Sequence, residues 1–172
     1  QFLTGVAWEQ CAVCVVDLPP GTGDIAISLA QHAQPDGAIV VVTPQEVALD
    51  DARKAVGMFR KLEVPVLGIV ENMSYFVCTL CATRHDLFGQ GGGKQLAETL
   101  DLPFLGEIPF EPEVRAGGDT GLPAVLQADS RAGIALRSIA ATLTSWLRAP
   151  KNTIKNTITK NPSPETGGDN NA

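Results

Sequence analysis

From residue 1 to about residue 148, short apolar runs alternate with stretches whose apolar positions recur every three to four residues. Residues 12–16, 38–42, 66–70 and 103–108 are apolar or β-branched at almost every position, the pattern of strands buried on both faces of a parallel sheet. Between these runs the period lengthens. Residues 25–33 follow Asp24, a good N-cap, and stop short of Pro35, as a helix would. Residues 46–62 set Leu49, Ala52, Val56 and Phe59 on one stripe, which predicts an amphipathic helix. A short helix is expected over 92–100. Asp129-Ser130 opens a last helix, with Leu136, Ile139, Leu143 and Trp146 on its apolar side. Alternation of this kind predicts an α/β fold, a layered and mostly parallel sheet flanked by helices.

After Pro150 the pattern stops. Residues 151–172 are polar, repetitive and rich in Asn, Thr, Gly and Pro, too poor in apolar area to offset the entropy of ordering. We therefore divide the chain into a folded part, 1–149, and a disordered polar tail, 150–172. No Asn of the tail forms a glycosylation sequon, because Pro162 interrupts the one candidate.

Composition narrows the class. With 44% hydrophobic and 19% charged residues in 172, the chain can bury a core. No apolar run approaches the roughly 20 residues that cross a bilayer, so no membrane partner is expected. Gln1-Phe2-Leu3-Thr4 has no initiator Met, basic region or cleavage site, so no signal peptide is read and the chain looks like part of something longer. A net charge of −6 argues against a nucleic-acid binder that works by neutralising phosphates. The cysteines fall in two close pairs, Cys11/Cys14 and Cys78/Cys81. Without a secretory signal, such pairs suggest metal or redox chemistry before disulfides.

The most informative string is Val13-Cys14-Val15-Val16-Asp17-Leu18-Pro19-Pro20-Gly21-Thr22-Gly23-Asp24. An apolar strand ends in an acid, then a Pro/Gly loop leads to a helix N-terminus. In phosphate-handling α/β proteins an Asp at this place holds Mg²⁺, and glycines let backbone N–H groups approach a terminal phosphate. The second string runs Asn72-Met73-Ser74-Tyr75-Phe76-Val77-Cys78-Thr79-Leu80-Cys81. Two thiolates two residues apart can chelate one metal centre, but they are half a tetrahedral set. Either His85 helps, or a second copy of the chain supplies the other pair across a two-fold axis. An iron–sulfur cluster, a zinc ion and a redox dithiol all fit that spacing.

Cys11 and Cys14 have the same spacing but lead into a strand, where residues three apart face opposite ways; they are read as small core residues. Gly89-Gln90-Gly91-Gly92-Gly93-Lys94 is not a phosphate-binding loop, since the Walker A pattern has a further Gly and a Ser or Thr where Phe88 and Gln95 stand. It is read as a flexible glycine hinge entering a helix. Trp8 and His32 are read as surface or packing residues. Arg115, after the last strand, is either a ligand contact or a solvated loop charge.

The strings VVDLPPGTGD, VVTPQEVALDDARKAVGMF, VPVLGIVENMSYFVC, FGQGGGKQLAETL and PFLGEIPFEPEVRAGGDTGLP resemble the Mrp/ApbC-type P-loop ATPases over about residues 1–148. These are relatives of MinD and ParA that carry or scaffold iron–sulfur clusters. The resemblance implies an ATP hydrolase with ATP and Mg as cofactors. It makes Asp17 the Walker B acid, puts Gly21 and Gly23 in the switch loop near the γ-phosphate, and makes Asn72 an adenine contact. Cys78 and Cys81 match the family's bridging cysteines, which hold a [4Fe–4S] cluster within a homodimer and pass it to apo-proteins. The family's Walker A loop, the strand before it and the switch I Asp are absent from this sequence, so the expected sheet is incomplete at its N-terminal side and this chain alone is expected to hydrolyse ATP scarcely at all. The rival readings are a MinD/ParA-like positioning ATPase, which leaves the Cys-x-x-Cys unexplained, and a zinc-binding module without enzymatic activity. The expected compartment is the cytoplasm, with an organelle as the alternative.

Overall fold

The computed structural model describes residues 5–9, 11–19 and 23–148. The expected tail, 150–172, lies outside them. Among the described residues, three parallel strands form the sheet: β1 (Ala38–Val42), β2 (Val66–Asn72) and β5 (Phe104–Ile108), in the order β1-β2-β5. The helices are α1 (Asp24–Ala33), α2 (Glu46–Lys61), α3 (Gly92–Thr99), α4 (Pro112–Thr120) and α5 (Arg131–Arg148). Two short strands, β3 (Phe76–Val77) and β4 (Arg84–His85), pair separately in an antiparallel hairpin. Layered α/β architecture is therefore observed as expected.

Register explains how the layers share the sheet. Val40 pairs with Ile69 and Val42 with Glu71, so these side chains share one face. There Val40, Val42, Val66 and Ile69 join Leu49, Ala52, Val56 and Phe59 of α2 and Leu96 and Ala97 of α3 in one buried cluster. The α2 stripe is the one the periodicity predicts. On the opposite face Val70 pairs with Gly106, and Ile139 of α5 covers that glycine. Leu136, Leu143 and Trp146 flank Ile139 half-buried. That face is left open over β1, where Val41 is 61% exposed.

Four expectations are corrected. Residues 12–16 form no strand: Val13, Val15 and Val16 are exposed, because no neighbouring strand among the described residues meets their backbone groups, and a lone extended run gains nothing over hydration. Asp17 accordingly does not end a strand. Cys11 and Cys14 are exposed and are not core residues. Arg115 is helical, in α4, and pairs with Asp119 at 2.8 Å. Pro112 sits in the first turn of that helix and Gly121 closes it left-handed (φ 73°), a Pro-first, Gly-last arrangement; Gly117 and Gly118 hide it from periodicity. At α1, Gly23 is the N-cap and Asp24 stands in the first turn, where its charge suits the helix dipole. His32 is a surface residue, its Nδ1 2.7 Å from the Ser28 carbonyl oxygen. Among the described residues, no helix is long and apolar enough to cross a membrane.

Candidate metal centre

The two cysteines of interest ride on a hairpin that is anchored before it begins. β2 ends at Asn72, and the chain turns through Met73, held left-handed at φ 54°. Asn72 Oδ1 accepts the Met73 N–H at 3.0 Å, the local bond by which Asn stabilises such turns. Beside it Glu71 and Ser74 are both completely buried. The Glu71 carboxylate accepts the Ser74 hydroxyl and the Gly93 N–H, each at 2.5 Å. A buried carboxylate is tolerated only with such donors, and here one comes from the first turn of α3, where the helix field is favourable.

This contact corrects the reading of the glycine run as a flexible hinge. A Cβ at Gly93 would lie 3.0 Å from the Glu71 Cβ, and one at Gly92 would lie 2.8 Å from the Pro44 oxygen. Gly92 and Gly93 are there for close approach. Two further bonds tie the hairpin's base to the sheet: Ser74 N–H to the Ile108 oxygen at 3.0 Å, and Phe110 N–H to the Tyr75 oxygen at 2.7 Å.

Above this base Phe76 pairs with His85 and Val77 with Arg84. Phe110 contacts both Phe76 and Phe88, with ring centroids 6.4 Å apart in each pair. The Arg84 guanidinium lies 4.0 Å over the Tyr75 ring and pairs with Asp86 at 2.9 Å and Glu107 of β5 at 3.5 Å. The loop 78–83 closes with Cys78 N–H bonded to the Thr83 oxygen and Ala82 N–H to the Cys78 oxygen, both at 2.9 Å. Ala82 takes the left-handed conformation, φ 57°. The Cys81 thiol donates to Thr83 Oγ1 at 3.2 Å. Once the thiol is ionised, a hydrogen bond from the Thr83 hydroxyl, with help from the Thr83 backbone and the Cys78 side chain, holds the Cys81 pKa below the usual thiol value.

Cys78 and Cys81 are thus brought together, half-buried and exposed respectively, at the tip of a braced hairpin. Two thiols so placed suit a soft metal centre. Among the described residues no group of three or more His, Cys, Asp or Glu could hold a metal ion. His85 therefore does not complete the site within one chain, as one of the two sequence readings had it.

The other expected site residues are more scattered. Asp17 is exposed on an irregular segment whose Leu18 touches the core. Gly21 lies outside the described residues. Gly23 caps α1, accepting the Ala26 N–H at 3.0 Å, with nothing within 4 Å of a Cβ built on it. Asn72 closes β2. A cleft of about 360 Å³ opens beside the hairpin, lined by residues including Phe76, Thr79, Phe110, Glu111 and Arg131; Asp17, Gly23 and Asn72 are not among its walls. Sequence reasoning missed Thr83 and Glu71. A single charge inside the apolar run 66–72 was a signal for Glu71; Thr83 had none, since its bond exists only once the loop has closed.

The ParA family model described as NUBPL iron-transfer P-loop NTPase matches residues 1–144. An iron–sulfur cluster carrier protein from Deinococcus radiodurans is 53% identical over 144 residues, covering 83% of this chain and 41% of that protein. A nucleotide-binding protein from Archaeoglobus fulgidus, solved with ADP and with cobalt found in it, is 42% identical with a TM-score of 0.55, over 61% of this chain and 43% of that one. The septum site-determining protein MinD of Pyrococcus horikoshii, complexed with Mg-ADP, has a TM-score of 0.60 at 24% identity, over 76% of this chain and 49% of that one, and shows the fold alone. The chain spans 41 to 51% of the length of the first curated relatives it matches.

Proposed function

The chain belongs to the family of NUBPL iron-transfer P-loop NTPases, and from that premise we propose that it carries iron–sulfur clusters, taken up as cargo on Cys78 and Cys81 and passed to apo-proteins. The observation that carries the reading is the Cys78–Cys81 loop itself, two neighbouring thiols on a rigid, outward-facing hairpin. The lowered Cys81 pKa supports it, because metals bind the thiolate and protons compete with them. One chain offers two ligands and a [4Fe–4S] cluster takes four, so the cargo is held between two copies in a homodimer.

Nucleotide chemistry is assigned to the longer protein. Asp17 is its Walker B acid and Mg ligand; Gly21 and Gly23 approach the terminal phosphate. Asn72 spends Oδ1 on Met73, which leaves Nδ2 as the donor it can offer an adenine ring. Hydrolysis of ATP alters the dimer and releases the cluster. The link on this chain is short: Asn72 and Cys78 belong to one continuous segment, clamped by Glu71 and Ser74. The reading also places the protein where thiols stay reduced, in a cytoplasm or an organelle interior.

The test is anaerobic reconstitution with iron and sulfide of this chain and of its Cys78→Ser/Cys81→Ser variant. The expected result is about four irons and four sulfides per two chains, absent from the variant, with dimers formed only in the loaded protein. Equal iron in both proteins, or zinc retained without sulfide, overturns the assignment.

A further inference from the structure

Thr83 stands two residues beyond Cys81 and makes two bonds across the loop. Its carbonyl oxygen accepts the Cys78 N–H at 2.9 Å, and its Oγ1 accepts the Cys81 thiol proton at 3.2 Å. The first bond belongs to the backbone and survives any side chain. The second is chemically specific. A threonine hydroxyl is both donor and acceptor, with a hydrogen that rotates to suit its partner. A sulfur that ligates iron is an acceptor only. The hydroxyl then turns and donates O–H to the sulfur at the same separation, with no movement of the loop. Resting on the cluster-carrier reading, we infer that Thr83 is a positioning residue of the metal centre, which aims the Cys81 sulfur and donates a hydrogen bond to it in the cluster-bound state.

A hydrogen bond to a ligating sulfur draws charge from it and raises the reduction potential of the cluster. Thr83 is the residue placed to do this. It faces solvent, so its replacement leaves the core untouched, and Val has nearly its shape without the hydroxyl.

The experiment compares the wild-type chain with Thr83→Val and Thr83→Ser. In the metal-free reduced chains, the infrared S–H stretching band is read by difference. Thr83→Val shifts one thiol band to higher frequency as its hydrogen bond is lost, and Thr83→Ser restores it. In the reconstituted chains, the potential of Thr83→Val falls below the wild-type value at unchanged iron content, and Thr83→Ser returns it. Loaded wild-type and Thr83→Val chains with the same potential overturn this proposal alone. A wild-type chain that takes up no cluster overturns the carrier reading and this proposal with it, and the infrared band still reports whether the bond was present.

Discussion

At the scale of single residues, the chemistry of this chain depends on small groups set close to larger ones. The lowered pKa of Cys81 has a definite sign: its thiolate persists to lower pH than that of an ordinary cysteine. The pH profile of its alkylation by iodoacetamide, read by peptide mass spectrometry, therefore has its midpoint below that of an unstructured cysteine. Thr83→Val moves that midpoint upward, since the largest cause of the shift is the Thr83 hydroxyl. Gly93 is equally particular. Its Cβ-free surface accepts Glu71 and Val42, so Gly93→Ala forces a shift in a close-packed region and lowers stability by about 1–3 kcal/mol, measurable by urea denaturation. Neither Thr83 nor Gly93 could be recognised by its type alone. Cys78 and Cys81 could, because thiolate spacing is itself the chemical signal, whereas Thr83 acts only through a loop that folding brings together.

At the scale of elements, periodicity was a good guide wherever a helix lies on the sheet. In α2, Leu49, Ala52, Val56 and Phe59 are all buried and Val47 is 78% exposed. Leu96 of α3 is 1% exposed, so Leu96→Ala costs about 2–5 kcal/mol, while Val47→Ala stays within about 0.5 kcal/mol; thermal unfolding of the pair tests the contrast. The start of α5 is held from a distance. Glu111 accepts the Arg131 and Ala132 N–H groups, each at 3.1 Å, and the Ser130 hydroxyl at 2.8 Å. It serves as a cap 20 residues away in sequence, and Glu111→Ala is expected to lower stability by about 1–2 kcal/mol, with earlier amide exchange at the start of α5. The sequence marked Ser130 as the opening of this helix. It did not show the acid that completes the cap, because the pairing crosses α4 and the turn after it. The hairpin escaped notice for a related reason: two-residue strands are too short to have a period.

At the scale of the whole molecule, the sheet is covered unevenly. α2 and α3 fill one face, but on the other α5 covers β5 and leaves Ile39 and Val41 of the edge strand β1 open. An apolar strand face beside an edge that pairs with no further strand among the described residues invites association. Val41→Lys is thus expected to reduce concentration-dependent self-association in sedimentation velocity, without loss of thermal stability. The same uneven cover accounts for what could be read from the chain and what could not. Sequence alone determined the α/β class, the three parallel strands, the stripes of α2 and α5, and the thiol pair, since each is a local pattern whose burial or chemistry repeats within a few residues. Tertiary structure decided that residues 12–16 stay outside the sheet, because a strand exists only where another strand's edge receives its hydrogen bonds. It also decided that Gly92 and Gly93, in the first turn of α3, serve close contact, and that Glu71, Thr83 and Glu111 hold other groups in place. Those roles are pairings between distant positions, and their energy appears only when the fold brings both partners out of water together.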